Sequence, residues 1–338
     1  MIDNEVKLMR ANLGKYCSFL FLMDPYSTLN LETETSLLIM QELMNRGHKV
    51  FWVEMNALYI RQGEPRASLQ NVQSVEPFRL GEKTDESLNT FDAVLARLDP
   101  PFNANYLHST YILDFLSPSV FQFNPVSALR NFNEKMLPML WAELTPPTVV
   151  ALDEKVISDF AKEHRTIVIK PLDDCSGRGV IKISYEQILA DEQLLPSVLI
   201  DKNGQSRYLM AQKYLSAVKE GDKRVFLVDG DVVGYVNRVP RKGEFLANIH
   251  QGALCEKTHV SAREEKMLQQ IRPFIIEHGL FMVGVDFIDG FITEINLTSP
   301  SAARQINQTM GRRIQEKIVD RMLLKMSPSC CSKKNRAA

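Results

Sequence analysis

The sequence of 338 residues lacks long apolar runs and any excess of charge of one sign. No stretch approaches the roughly 18 apolar residues that a membrane-spanning helix needs. The chain has 40 Lys and Arg residues and 41 Asp and Glu residues, which give a formal net charge of −1. This balance provides no general electrostatic attraction for nucleic acid or for an anionic membrane. The N-terminus carries acidic residues ahead of any apolar stretch, unlike a signal peptide. We therefore expect no nucleic-acid partner, no membrane partner and a cytoplasmic location.

Several chemical signatures are also missing. The five cysteines show neither metal-ligand nor paired spacing, which is typical of a reducing compartment, and the six histidines show no metal spacing. The sequence contains no G-x-S-x-G and no recognised Cys–His pattern, so nucleophilic catalysis has little support. No G-x-G-x-x-G follows the first strand, so a dinucleotide cofactor is unsupported.

Strand-like and helix-like segments alternate in the N-terminal third of the chain. SFLFLMDP, KVFWVEM and FDAVLARLDPP read as strands, while residues 61–90 look like a polar, irregular excursion. This alternation predicts an α/β domain with a parallel, doubly wound sheet over residues 1–124. Ligands bind at the carboxyl ends of such strands, where Asp24 and Arg97 fall.

The texture changes from about residue 134, where short strands join helices and Asp229-Gly230 marks a hairpin. A helix is predicted near Glu134-Lys135, and MAQKYL by itself reads as an edge strand. We predict an α+β domain over residues 134–325, closed by a final helix at 312–325. Residues 326–338, with Cys330-Cys331, are predicted to form a disordered tail.

The stretch from Met282 to Ser301 carries the most specific chemistry in the chain. It predicts two strands joined at Asp289-Gly290, and Glu294 and Asn296 share a face because side chains alternate along a strand. Asp286 shares that face only if the connection is odd-length or bulged; a two-residue turn would pair it with Thr293. Hard oxygen ligands of this kind favour Mg²⁺ over zinc. An ordinary hairpin with solvated polar positions is the alternative.

Other candidates are ambiguous when each is taken alone. Lys170 ends a buried-looking strand before the small-residue loop DDCSGRG, a combination that suits phosphate but also occurs in common turns. Because Lys170 precedes the glycines, this is not a Walker A loop. Lys135 could be a solvated helical lysine. Asp222 and Arg224 share a strand face, which suits ribose and phosphate as well as a surface salt bridge.

Taken in chain order, seven motifs resemble the prokaryotic glutathione synthetase family of the ATP-grasp superfamily: N-E-K, V-I-K-P-L-D, M-A-Q-K-Y-L, G-D-K-R-V, N-R-V-P, V-G-V-D and T-E-I-N-L-T-S-P. The resemblance implies an α/β N-terminal pre-ATP-grasp domain and an α+β ATP-grasp domain whose two subdomains enclose ATP. It implies ligation of γ-glutamylcysteine to glycine through an acyl phosphate, with release of ADP and phosphate. It also implies a homo-oligomer that acts on small molecules.

The resemblance carries roles over to particular positions. ATP would contact Lys135, Lys170, Gln212, Lys213, Tyr214, Leu215, Asp222 and Arg224. Mg²⁺, or alternatively Mn²⁺, would be held by Asp286, Glu294 and Asn296. Substrate would be bound by Arg97, Arg238, Asn296, Ser299 and Ser301, with Arg224 and Arg238 as the catalytic cations.

The chain departs from the family pattern in three places. The first loop, typically D-G-M-G-G, is DDCSGRG, with fewer glycines and an added arginine. The family's lid segment is KGEFLANIHQGA here, with Leu246 at its arginine position, and Gln305 stands where the family has an acid. Two interpretations follow: a divergent glutathione synthetase, or a paralogue that ligates a different carboxylate or amine. An ATP-binding protein without turnover is a further alternative, and the retained nucleotide and metal residues argue against it.

Overall fold

The computed structural model of the chain describes residues 16–201, 204–249 and 252–327. Three β-sheets and the helices around them make up the fold of these residues. In the same ranges, no helix combines the length and the apolar character needed to cross a membrane. The predicted combination of an α/β N-terminal part and an α+β C-terminal part is confirmed.

The strands are β1 (Ser18–Met23), β2 (Lys49–Glu54), β3 (Leu58–Arg61), β4 (Glu64–Val75), β5 (Phe78–Ser87), β6 (Ala93–Ala96), β7 (Phe121–Gln122), β8 (Thr148–Ala151), β9 (Thr166–Pro171), β10 (Ile181–Ser184), β11 (Leu209–Lys213), β12 (Asp222–Val228), β13 (Asp231–Val239), β14 (Leu254–Glu256), β15 (Met282–Ile288) and β16 (Phe291–Asn296). The α-helices are α1 (Thr35–Asn45), α2 (Ala104–Leu113), α3 (Val126–Asn131), α4 (Glu154–His164), α5 (Tyr185–Ala190), α6 (Leu194–Leu199), α7 (Ala262–Glu277), α8 (Ala303–Met310) and α9 (Ile314–Met326). Where an α-helix was predicted near Glu134-Lys135, the chain instead forms 3₁₀ turns over Leu137–Leu144.

The first sheet has a parallel centre. Strands β2, β1, β6 and β7 lie side by side and run in one direction, as predicted. Both faces of β1 are covered, since residues 19–23 are each at most 1% exposed, and this explains its continuous apolar run. The segments that follow β1 and β6 therefore emerge at the same edge of the sheet.

The prediction of an irregular excursion at residues 61–90 is wrong. The segment forms the long antiparallel hairpin β4–β5, which extends the first sheet. Ala67, Leu69, Val72 and Val75 are buried while polar residues alternate with them. The register shifts twice between Gln70 and Ser74, which breaks the period-two pattern and hid the strand in the sequence.

The second sheet has the order β10-β9-β11-β8 and is antiparallel. Helices α4, α5 and α6 close a separate apolar core with it, which includes Ile157, Ile167 and Ala211. The prediction that MAQKYL is an edge strand is wrong, because β11 lies between β9 and β8. Both edges of β11 are therefore paired, and residues 209–212 are buried.

The third sheet has the order β14-β13-β12-β15-β16. Its two faces share apolar cores with the first sheet: Val225 and Ile271 of α7 belong to one core, and Phe226 and Ile318 of α9 to the other. The predicted hairpin at Asp229-Gly230 joins β12 to β13. Because their cores are continuous, the first and third sheets form one packed unit, whereas the second sheet has a core of its own.

The hairpin β15–β16 has the predicted bulge. Asp289 and Gly290 form the turn with φ of 53° and 67°, and Ile288 pairs with Phe291 across it. The register then shifts, so that Thr293 is an extra residue on β16 and Asp286 pairs with Glu294. The bulge thus reconciles a two-residue turn with the register that the metal hypothesis requires.

The end of the chain differs slightly from the prediction. Helix α9 includes Met326, which was predicted to start the disordered tail, and Ser327 after it is buried. Residues 328–338 of the predicted tail, with Cys330-Cys331, lie outside the described residues.

Asn124 joins the first sheet to the third. Its Nδ2 donates to the carbonyl oxygens of Met282 and Leu297, each at 2.8 Å. Its Oδ1 accepts from the amides of Phe281 and Met282 at 2.7 and 2.8 Å. One buried side chain therefore satisfies four backbone groups at the junction.

Asn124→Ala should lower the free energy of unfolding by about 3 kcal/mol, because it leaves buried donors and acceptors without partners. A urea titration measures this loss as the change in the free energy of unfolding of the first transition. Asn131→Ala is the matched control, since Asn131 is exposed at the end of α3, and its effect should stay within about 0.5 kcal/mol. Equal effects of the two substitutions would contradict this role of Asn124.

Candidate active site

Two adjoining cavities lie between the sheets. The first lies between the second and third sheets and has a cavity volume of about 100 Å³. The second lies where loops of the first sheet meet the third sheet and has a cavity volume of about 380 Å³. The two cavities share a wall made of Cys175, Ser176, Arg178, Asn248 and Glu294.

The predicted site residues divide between these cavities, except that Glu294 borders both; Arg224, which was predicted to contact ATP, borders only the second. The first is lined by Lys135, Lys170, Gln212, Lys213, Tyr214, Leu215, Asp222 and Glu294. The second is lined by Arg224, Arg238, Glu294, Asn296, Ser299 and Ser301. Arg97 and Asp286 are buried and lie behind the walls rather than on them.

Two lysines place positive charge in the first cavity. Lys170 Nζ donates to Gln212 Oε1 at 2.9 Å, across the pair β9–β11, and burial lowers the pKa of Lys170. Lys135 lies 3.4 Å from a carboxylate oxygen of Glu294 and donates to the carbonyl of Asp174. Burial by itself would lower the pKa of Lys135, but Glu294 and Glu134 outweigh it and raise the pKa. Both lysines line the cavity, so their ammonium groups are placed to bind an anion there without a change in the backbone.

Apolar side chains also line the first cavity. Val168, Leu215 and Val218 line it beside the end of β11. Gln212 is buried and donates to Thr148 Oγ1 at 3.0 Å, which fixes the strand end. Apolar walls beside an open strand end can accept a planar heterocycle.

A buried ion-pair cluster forms the floor of the second cavity. Arg224 binds Asp286 with two nitrogens, the Nη2 contact being 2.8 Å. Arg238 Nη2 lies 2.7 Å from Asp222 Oδ1 and 2.9 Å from Asp286 Oδ1, and both contacts are ion pairs without aligned hydrogen-bond geometry. Although burial opposes it, the two arginines hold the pKa of Asp286 at about 2. Burial dominates at Asp222 and raises its pKa to about 6.

The predicted metal ligands do not stand in equivalent positions. Asp286 already accepts from Arg224 with both carboxylate oxygens, forms an ion pair with Arg238 and accepts from Asn296 Nδ2 at 3.2 Å. Glu294 is 23% exposed at the shared wall, and both hydrogen bonds of Asn296 use its amide nitrogen rather than its oxygen. Among the described residues no three His, Cys, Asp or Glu side chains form a metal cluster. The donor set therefore fits a hard cation that takes few protein oxygens and completes its shell with phosphate or water.

Arg97 acts beneath the second cavity. Its Nε donates to Ser36 Oγ and its Nη2 to the carbonyl of Pro300, both at 3.0 Å. It therefore holds the segment between Ser299 and Ser301, which lines the cavity.

Carboxyl groups cluster at the edge of the first sheet, where it faces the second cavity. Asp24 Oδ2 accepts from the amide of Asp99 at 2.8 Å, and Glu34 caps α1 by accepting from Ser36 N at 2.7 Å. Burial, followed by repulsion from Glu34 and Asp24, raises the pKa of Asp99 to about 7. This wall of the cavity thus favours a bound positive charge.

Some wall residues had no role assigned from the sequence. Glu134 Oε1 accepts from the amides of Leu297 and Thr298 and from Thr298 Oγ1 at 2.6–2.9 Å, which ties the end of β16 to the segment before the 3₁₀ turns. The sequence could have pointed to Glu134, because it lies beside Lys135 in the N-E-K motif. Gln305 lines neither cavity and donates to the carbonyl of Glu32 at 2.9 Å.

Asp99→Asn should stabilise the protein more at pH 8 than at pH 5. An aspartate in an unfolded chain has a pKa near 4, so between about pH 4 and 7 the folded protein keeps a proton that the unfolded chain loses. Its stability therefore falls as the pH rises through this window, and above it Asp99 is charged and buried. From pH 5 to the folded pKa of about 7 this loss amounts to about 3 kcal/mol, so in urea titrations we expect the variant to gain about 3 kcal/mol more at pH 8 than at pH 5. Equal differences at the two pH values would contradict the acidic cluster.

Family models match most of the chain. Residues 17–130 match the N-terminal domain of prokaryotic glutathione synthetase, and residues 134–311 match its ATP-grasp domain. A glutathione synthetase of Thermosynechococcus vestitus is 33% identical over 314 residues, which cover 88% of this chain and 97% of the relative. One from Mesorhizobium japonicum is 35% identical over 298 residues, which cover 86% and 93%.

Solved structures agree on the fold. D-cycloserine synthetase DcsG superposes with a TM-score of 0.62 and 14% identity, covering 90% of this chain and 99% of the other. The ATP-grasp ligase PsnB, complexed with minimal precursor, Mg and ADP, gives 0.59 and 14% over 91% and 97%. ATP-grasp ligases use ATP and a divalent metal ion. Those of the glutathione synthetase type act on small-molecule substrates. The chain belongs to the prokaryotic glutathione synthetase family and is an ATP-dependent carboxylate–amine ligase that forms a C–N bond.

Proposed function

We propose that the chain joins the cysteinyl carboxylate of γ-glutamylcysteine to the amine of glycine and thereby forms glutathione. The wall shared by the two cavities carries the proposal: Glu294 borders both the cavity assigned to ATP and the cavity assigned to the peptide. A carboxylate in one and the terminal phosphate in the other would meet at this wall. The identity of 33–35% to glutathione synthetases over most of the chain supports the same substrates.

ATP is assigned to the first cavity. The base would lie against Val168, Leu215 and Val218 and bond the backbone at the end of β11. Asp222 would accept from the ribose hydroxyls, and Lys135 and Lys170 would bind the phosphates. Gln212, Lys213 and Tyr214, at the same end of β11, are the other positions there that the sequence assigned to ATP.

The divalent ion is proposed to be Mg²⁺, with Mn²⁺ as the alternative. Glu294 and Asn296 would hold it through oxygens at the shared wall, and Asp286 would join them where it releases one of its arginine partners. Bound there, the ion would neutralise phosphate charge. Few protein ligands and several phosphate oxygens are the usual environment of Mg²⁺.

The reaction would proceed in two balanced steps. The substrate carboxylate oxygen forms a bond to the γ-phosphorus as the bond to ADP breaks, giving an acyl phosphate. The amine of glycine then bonds to the acyl carbon, phosphate leaves with the former carboxylate oxygen, and the nitrogen loses a proton. Arg224 and Arg238 would neutralise charge that develops on the phosphoryl group.

The peptide is assigned to the second cavity. Ser299, Ser301 and Asn296 would contact it, and Arg97 would position their segment by holding the carbonyl of Pro300. The acidic wall around Asp99 would face an ammonium group. A zwitterionic amino acid or peptide would find partners for both its charges in the second cavity, which is lined by acidic residues and by Arg224 and Arg238. The cytoplasmic location and the homo-oligomeric state remain predictions from the sequence.

The same chemistry on another acceptor amine is the second candidate. Two residues favour it: Leu246 places an apolar side chain on the first cavity wall, and Gln305 holds the carbonyl of Glu32 beside the second cavity. A changed lid and a changed supporting residue could alter which amine is accepted without altering ATP use.

Phosphate release with Mg²⁺-ATP distinguishes these candidates. We expect release to require γ-glutamylcysteine and glycine together, with other amines of an amino-acid panel giving lower kcat/KM. Stronger release with a different amine would favour the paralogue. No release with any carboxylate–amine pair would overturn ligase activity.

Glu294→Gln should lower kcat by on the order of 100-fold, because it removes a charged ligand at the shared wall. Glu277→Gln, at the exposed end of α7, is the matched control and should leave kcat unchanged. Steady-state ADP release measures both variants. A glutamine variant that keeps the full rate would remove Glu294 from the site.

A further inference from the structure

Arg178 stands between the two cavities and has no role in the chemistry proposed above. It lies in residues 173–179, the segment between β9 and β10, and its side chain lines both cavities. Half of that side chain is exposed, so it is accessible to groups on either side.

The Arg178 guanidinium bridges two loops. Its Nε donates to Asp174 Oδ1 at 2.6 Å within its own loop. Its Nη2 donates to the carbonyl of Pro100 at 2.6 Å, in the segment after β6. The side chain therefore ties a loop of the second sheet to a loop of the first.

Polar contacts, rather than a shared apolar core, connect these two parts. The second sheet has its own core, and the Phe102 amide donates to the carbonyl of Asp173 at 2.9 Å. Asn133 Nδ2 donates to the carbonyl of Leu172 at 2.7 Å. The position of residues 173–179 therefore depends on a small number of hydrogen bonds, of which Arg178 supplies one.

Charge favours the same arrangement. Arg178 is close enough to Asp24 to lower its pKa, although burial leaves that pKa raised overall. Partial burial by itself would lower the pKa of Arg178, but the hydrogen bond to Asp174 raises it overall, and Asp99 adds a smaller contribution in the same direction. The guanidinium thus offsets part of the repulsion within the acidic cluster when the loop is in place.

The opposite side of the loop faces the nucleotide cavity. Gly177 has a φ of 76°, and a Cβ there would lie 2.7 Å from Asn248 Oδ1 and 3.4 Å from Leu246 Cδ1. The loop therefore packs closely against residues 245–248, which line the first cavity. A movement of this loop must change the walls of both cavities together.

We propose that Arg178 is a positioning residue that couples the two cavities. It locks residues 173–179 against Pro100, so that filling the nucleotide cavity orders the loop after β6 on the substrate side. The inference rests on the proposed function only for the identity of the two ligands. By linkage, each ligand should then strengthen the binding of the other.

Hydrogen exchange at the Phe102 amide tests the coupling without a carboxylate substrate. The rate is measured with and without Mg²⁺ and a non-hydrolysable ATP analogue. In the unaltered protein we expect nucleotide to slow exchange at least about fivefold, which is the lower end of typical couplings. In Arg178→Ala the slowing should fall below about twofold. Arg178→Lys keeps the charge but not the planar guanidinium that contacts Asp174 and Pro100 together, so its slowing should be intermediate.

Arg165→Ala is the matched control, because Arg165 is a largely exposed arginine of the same unit whose ion pair with Glu186 is 4.0 Å long. It should behave as the unaltered protein. Arg178→Ala should also raise KM for ATP and for the carboxylate substrate together, with a smaller change in kcat. If the alanine variant fails to fold, the lysine variant decides the result alone.

Nucleotide-dependent slowing of full size in Arg178→Ala would overturn the proposal, and so would its absence in the unaltered protein. Failure of the proposed function gives a different result. No phosphate would be released with any carboxylate–amine pair, while exchange at Phe102 would still report the coupling.

Discussion

The paired charges beneath the second cavity constrain the rest of the site. Arg224, Arg238 and Asp286 come from adjacent strands β12, β13 and β15, and all are at most 5% exposed. Charges buried to this extent persist only when each has a close partner, since removal of one leaves another unpaired. The register that joins them also sets Asn296 against Asp286 and places Glu294 at the shared wall.

This arrangement explains why two cavities meet at one carboxylate. The first and third sheets share apolar cores, so the substrate-side loops and the ion-pair cluster belong to one packed unit. The second sheet has its own core and contributes Lys170 and the loop at 173–179 from outside. A ligase needs such a division, because ATP and the substrate must enter separately and then react away from water.

The sequence predicted local features better than long-range ones. The spacing of Glu294 and Asn296, together with the need to pair Asp286, predicted a bulged hairpin that the structure confirms at Thr293. The pattern could not reveal that Asp286 is paired with two arginines, because Arg224 and Arg238 lie 62 and 48 residues away in the chain and their contacts depend on strand register. Likewise Arg97 sits at a strand end that predicts ligand contact, whereas its actual partners come from residues 36 and 300.

The most direct test follows oxygen through the reaction. γ-Glutamylcysteine is labelled with ¹⁸O in its cysteinyl carboxylate and incubated with the protein, Mg²⁺-ATP and glycine. An acyl phosphate requires the bridging oxygen to leave with phosphorus, so the account predicts one ¹⁸O atom in each phosphate released. Phosphate without the label would show that water, rather than the substrate carboxylate, receives the γ-phosphoryl group, and would contradict the ligase mechanism.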